Sequence, residues 1–178
     1  RIRDDHLAQI FVAWPQALGL PPSFEQRWLT DDAVARVALL GAGSRLPQSD
    51  FEMAEFLGAD HGVAPLLRLI GDLFGPRTAT ADDVPFVDAE TAFSPAPVEN
   101  SAAARRAAHP AMSYVESIYG RGPLWRAAGQ VIDLALLLSG DVPRPLLTAP
   151  GAAVVPAAKG YFALRLSTRD DHITGLSR

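Results

Sequence analysis

Residues 123–139 limit the fold more than any other stretch of the chain. Pro123 suits the first turn of a helix, where its missing N–H would have had no partner. Leu124, Ala127, Ala128, Val131, Ile132, Leu134, Ala135, Leu136 and Leu138 then cover more than half of the circumference. A helix so apolar cannot lie on the outside of a globular protein. It must be central, with the other elements laid around it.

The residues before it supply those elements. Asp4 or Asp5 can cap a helix to about residue 18, with Leu7, Ile10, Phe11 and Trp14 on one face. Pro15 shortens or kinks it, and Gly19 with Pro21 and Pro22 ends the region. Ser23 starts a short helix carrying Phe24, Trp28 and Leu29, and Thr30, Asp31 and Asp32 cap another through Leu40. Gly41-Ala42-Gly43 is a break. Ser49 and Glu52 have the spacing of a capping box and predict a helix to about Leu57. A further amphipathic helix is expected over 60–74, capped by Asp60-His61, with Val63, Leu66, Leu67, Ile70 and Phe74 as its apolar stripe.

Over 75–97 the helical period fails, and a long surface loop is expected, with a short strand near Pro85–Val87. Helix resumes near Ser101, is interrupted at Pro110 and continues to Tyr119; Gly120-Arg121-Gly122 then leads into the central helix. Residues 143–156 read as a Pro/Gly/Ala-rich loop. The final stretch, 160–177, alternates as a hairpin. The expected fold is a mainly α single domain over 1–178 with a small C-terminal β-hairpin.

Composition closes off several classes of function. With 178 residues and 48% hydrophobic side chains the chain can bury a sizeable core. A net charge of -4 gives no basis for binding nucleic acid. No apolar run reaches the ~18–20 residues of a membrane span, and the charged start Arg1-Ile2-Arg3-Asp4-Asp5 is not a signal peptide. A cytoplasmic protein is expected. The absence of cysteine removes disulfides, thiolate metal sites and thiol nucleophiles.

Motifs that superficially suggest an enzyme have simpler readings. Val37–Gly43 looks like a strand entering a dinucleotide-binding turn, but Leu46 stands where a third glycine is needed and Pro47 follows. A helix end fits better. His6, His61, His109 and His172 lack the pair spacing of a helical metal site. Glu52 and Glu55 are explained by a capping box and a surface acid, and no serine has an evident general base. Most distinctive is Val98–Arg105, where Glu99 and Arg105 stand six residues apart across very small side chains. Small residues allow a close approach, and charges held at a close approach need partners. The simplest reading is an ion pair at a helix terminus, with Lys159 an ordinary strand-edge lysine.

Four segments in order carry a family resemblance. His6–Trp14 resembles the helix of nickel-iron hydrogenase large subunits in which a histidine precedes an apolar run ending in Asp-Trp; here Ala13 replaces the aspartate. Glu99–Arg105 is similar to the family's Glu-Val-Gly-Pro-Leu-Ala-Arg segment and keeps Glu99, Ala104 and Arg105. Residues 120–138 resemble the long helix entered through Gly-Arg, without a clear second arginine and glutamate. Pro156-Ala157-Ala158-Lys159-Gly160 resembles Glu-Ala-Pro-Arg-Gly before a terminal hairpin, with Pro156 for the glutamate and Lys159 for the arginine. More closely still, the chain resembles the shortened accessory relatives of that subunit, the HupK-type hydrogenase expression/formation proteins.

That resemblance implies a reduced large-subunit core and a non-catalytic accessory of hydrogenase maturation. The catalytic family holds nickel and an iron–cyanide–carbonyl group with two Cys-x-x-Cys motifs, and neither is present. By resemblance, Glu99, Arg105, Lys159 and Gly160 are the candidate cofactor-binding residues, with no catalytic and no metal-ligating residue. The implied cofactor is at most a transient iron–cyanide–carbonyl group; the implied partners are hydrogenase maturation proteins or hydrogenase subunits. Two other readings stand beside it: a piece of a catalytic large subunit lacking its cysteine motifs, and an unrelated helical interaction module.

Overall fold

The structure, a computed structural model, describes residues 32–170 and 172–177. The helix expected over 4–18, the short helix from Ser23 and the His6–Trp14 segment lie outside the described residues. Helices α1 (Asp32–Leu40), α2 (Asp50–Gly58) and α3 (Ala64–Phe74) lead to a 3₁₀ turn at Thr91–Phe93. Then come α4 (Ala102–Arg105), α5 (Pro110–Tyr119) and α6 (Pro123–Leu137), followed by strands β1 (Leu147–Ala149), β2 (Ala152–Ala157), β3 (Gly160–Arg169) and β4 (His172–Ser177).

Helix α6 is the axis, as its composition demands. Helices α1, α3, α4 and α5 all pack on it. Trp125, Ala128, Ile132 and Ala135 of α6 are buried with Met53 of α2, Leu67 of α3, and Met112 and Val115 of α5. Its apolar surface exceeds what the neighbours cover, so Leu134 and Leu137 stay exposed.

The predicted caps hold in part. Ser49 Oγ accepts from the Glu52 N–H at 3.2 Å, one arm of the capping box. The other arm reaches one residue further, because the Glu52 carboxylate accepts from the Gln48 N–H at 2.6 Å and pairs with Arg45. Asp60-His61 does not cap α3, which begins at Ala64 after Val63 with no side-chain cap. Asp60 instead pairs with Arg68 one turn into the helix, at 2.7 Å. The His61 ring lies against Gly41, which ends α1 with φ 95°; a Cβ there would run into the imidazole. Gly41 is thus a helix stop with a neighbour pressed against it.

The main correction concerns fold class. The described residues are mixed, 41% helix and 19% strand, so the fold is not mainly α. The expected hairpin is real, but it is half of a four-stranded antiparallel sheet in the order β1-β2-β3-β4. Both extra strands lie in the stretch read as loop. Pro156 and the run of alanines hid β2. Leu146 N donates to Val154 O at 2.9 Å, so Val154 and, by alternation, Pro156 turn their backbone groups toward β1. Strand β1 ends opposite Val154, at Leu147. Pro156 therefore sits past the end of β1, where a missing N–H breaks no ladder bond.

Strands β2 and β3 join at a two-residue turn, Ala158-Lys159, with Ala157 opposite Gly160. One face of the sheet carries Val154, Tyr161 and Ala163; on the other, Phe162, Ile173 and Leu176 are exposed.

Candidate functional site

The residues 98–105 form the seam between helices and sheet. Glu99 extends a short parallel bridge: its N–H donates to Pro85 O at 2.8 Å, and Val87 N donates to Glu99 O at 3.2 Å. The strand expected near Pro85–Val87 exists as this bridge. Asn100 then imitates a strand. Its amide donates to Tyr161 O at 2.9 Å and its carbonyl accepts from Tyr161 N at 2.7 Å, tying β3 to the segment. Ser101 Oγ accepts from Ala104 N at 3.2 Å and caps α4.

From here the segment runs alongside α6 in the same direction. Ala103 meets Gly129 so closely that a Cβ on Gly129 would overlap the Ala103 Cα and Cβ. At either end of that contact sits an ion pair, and the two have opposite polarity. Glu99, with a side chain 7% exposed, takes Arg126 at 2.6 Å. Arg105, 4% exposed, takes Asp133, 5% exposed, through two bonds of 2.5 and 3.2 Å. Its remaining guanidinium nitrogen donates to Gly160 O at 2.6 Å and Ala157 O at 3.1 Å. The group also lies 5.5 Å from the Tyr161 ring centroid. Only a planar fork with several fixed donors can satisfy a carboxylate and two carbonyls together. Arg106 adds a second cation on Asp133 at 2.8 Å and reaches Asp141 at 2.9 Å.

The electrostatics of the Glu99 end follow from these contacts. Burial alone would raise the Glu99 pKa. Hydrogen bonds from Arg126 and Ser101, with the charges of Arg126 and Arg121, outweigh it and hold the carboxyl below its usual range. The same bonds from Glu99, acting against burial, push the Arg126 pKa up. Because the carboxylate is favoured in the fold, this pair adds stability above the ordinary carboxylate range. That stability is lost as pH falls through the lowered value. Replacing Glu99 with glutamine is expected to cost about 1–2 kcal/mol, discounted for the partly exposed Arg126, and to weaken acid dependence below about pH 4.5. Urea unfolding of both proteins at pH 7 and pH 4 measures it.

Glu99, Arg105 and Gly160 thus converge on one seam, while Lys159 does not. Lys159 is exposed at the β2–β3 turn, and among the described residues no ion pair involves it. Glu99 and Arg105 do not pair with each other, contrary to the simplest reading of their spacing. Each instead finds a partner on α6. Those partners were missed, although Arg126, Gly129 and Asp133 stand at i, i+3 and i+7, a narrow polar and small stripe on an otherwise apolar helix. A cavity of about 220 Å³ opens beside Asn100, lined also by Val87, Val98, Tyr161 and Phe162. The Asn100 amide that borders it is already committed to Tyr161. Among the described residues no three acidic or histidine side chains come together to hold a metal ion.

Comparison with known proteins gives this seam its lineage. Over 175 residues the chain is 35% identical to the hydrogenase expression/formation protein HupK of Rhodobacter capsulatus. The match covers 98% of this chain and 56% of that protein, so the chain spans little more than half of its curated relative's length. No family model matches, and no solved structure does. The kinship rests on sequence, along nearly every residue of the chain, and it is to a HupK-type hydrogenase expression/formation protein.

Proposed function

We propose that this protein is a non-catalytic accessory in the maturation of a nickel-iron hydrogenase, a scaffold or chaperone for assembly of the large-subunit active site. The observation that carries the reading is the 35% identity to HupK along 98% of the chain. The seam supports it. Its buried charges are saturated by one another, so they hold elements together and are not offered to a reacting group. The donor set does not fit a resident nickel–iron centre, because such a centre needs soft thiolates and the chain has no cysteine. An iron–cyanide–carbonyl group met during maturation is cargo. Of the four residues singled out by resemblance, Lys159 is the one exposed to meet it, while Arg105 supports the turn behind it through the carbonyls of Ala157 and Gly160.

The partners in this reading are hydrogenase maturation proteins or hydrogenase subunits, and the place of action is the cytoplasm. No helix among the described residues is long and apolar enough to cross a membrane. The identity to HupK also displaces the reading as an unrelated helical module. Deleting the gene is expected to abolish or sharply reduce hydrogenase activity and cofactor insertion; unchanged levels of both would overturn the proposal. Pull-down followed by infrared spectroscopy separates the two modes. Cyanide and carbonyl bands in the eluate mark a scaffold, and a metal-free complex with maturation proteins marks a chaperone.

A further inference from the structure

We propose that His109 is an acid-sensitive latch at the junction of α4, α5 and α2. His109 is the N-cap of α5, and its Nδ1 accepts from the Ala111 N–H at 3.3 Å. Pro110 at the first turn fixes the backbone around the cap, so the imidazole is the side chain that meets the free N–H groups there. From just before α2, the Gln48 amide nitrogen lies 3.5 Å from Nε2, which carries the hydrogen in this tautomer, so the two groups touch without a hydrogen bond. One turn further into α5, Ser113 donates to Asp50 of α2 at 2.8 Å, which ties the two helix starts.

Only the neutral ring can serve this arrangement. Protonation puts a hydrogen on Nδ1, which then confronts the Ala111 N–H as donor against donor. It also sets a positive charge at the positive end of the α5 dipole. The charged groups near the ring oppose protonation or are engaged elsewhere. Arg106, at the end of α4, adds a like charge and is itself held by Asp133 and Asp141, while Asp50 is engaged by Ser113. Burial, and then the Arg106 charge, lower the His109 pKa from its ordinary value near 6.5.

The sign follows. The unfolded chain takes up a proton near pH 6.5, and the folded chain only at a lower pH. The latch contributes fully above about pH 6.5, weakens as pH falls below it, and is released once pH passes the lowered folded value. Release frees the start of α5 and, through the bond from His109 N to Arg106 O at 2.8 Å, acts on the Arg106–Asp133–Asp141 cluster. The chain is thus built to loosen the outer end of its α4–α6 seam under mild acid.

Amide exchange at Ala111 and Met112 tests this, with rates corrected for intrinsic pH dependence. Between pH 7.5 and pH 5, protection is expected to fall roughly fivefold, the equivalent of a lost helix cap of about 1 kcal/mol. His109→Asp keeps an acceptor at the N-cap that stays ionised over this range, and is expected to abolish the fall while leaving protection at pH 7.5 unchanged or higher. A histidine proton titration with a midpoint at or above 6.5 overturns the proposal. So does an equal loss of protection in wild type and His109→Asp. Circular dichroism at pH 7.5 confirms that the variant is folded.

Discussion

Replacing Asp133 with alanine is expected to cost about 3–5 kcal/mol, enough to leave much of the protein unfolded at ordinary temperature. Asp133 lies on the middle helix with a side chain only 5% exposed and holds Arg105 and Arg106 at once. Removing the carboxylate leaves two guanidinium groups, 4% and 12% exposed, facing each other with no anion between them. An uncompensated buried charge costs far more than the bond it lost. Asp141→Ala is the internal control, because that carboxylate is 55% exposed and among the described residues bonds only Arg106. It should cost no more than about 1 kcal/mol. Urea midpoints with unchanged slopes measure both. Equal effects from the two substitutions would mean that the Arg105–Asp133 pair does not hold the seam. Arg105→Lys separates charge from geometry. It keeps the cation but cannot satisfy the carboxylate and the carbonyls of Ala157 and Gly160 together, so about 2 kcal/mol or more should still be lost.

How far this seam could be read from the sequence depends on the range of the interactions involved. Helical periodicity is local, and it placed α2, α6 and the start of α5 within a few residues. Glycine breaks and the Ser49 cap are local too. Strand β2 could not be read the same way. Ala152, Ala153 and Ala157 carry no alternation, and what makes Pro156 tolerable in a strand is the point at which β1 stops, a fact about a different segment. The expected ion pair failed for a similar reason. Residues six apart lie about 120° round a helix from one another and do not face each other, and here the helix is only four residues long, with Glu99 ahead of it in a bridge to Phe86. Burial directed both charges outward from their own segment, toward α6. The capping serine at position 101 was the local signal that Glu99 stands outside the helix.

Lengthening the side chain of Gly129 is expected to do the most damage of all, and the alanine variant decides why. In an exposed helix, Gly→Ala stabilises by about 1 kcal/mol, because alanine gives up less backbone freedom on folding. At Gly129 the added methyl would coincide with Ala103, whose Cα and Cβ belong to α4. Neither atom is the end of a flexible chain, so relief requires α4 to move bodily away from α6. Such a shift stretches Glu99–Arg126 and Arg105–Asp133 together, since both straddle the contact. It also pulls Asn100 from Tyr161, the link between the seam and the sheet. Gly129→Ala should therefore destabilise by about 1–3 kcal/mol despite its better helix propensity, and Gly129→Leu should prevent folding to a single native state. A stabilised alanine variant would show that α4 is free to ride outward, and that the ion pairs tolerate the displacement. A destabilised one would establish the contact itself as the point on which the seam closes, and Ala103→Gly should rescue it only slightly, because the Ala103 Cα stays 2.3 Å from the added Cβ. Because Gly129→Ala takes up space without removing any charge, it separates packing from electrostatics, a distinction the Asp133 variants alone cannot draw.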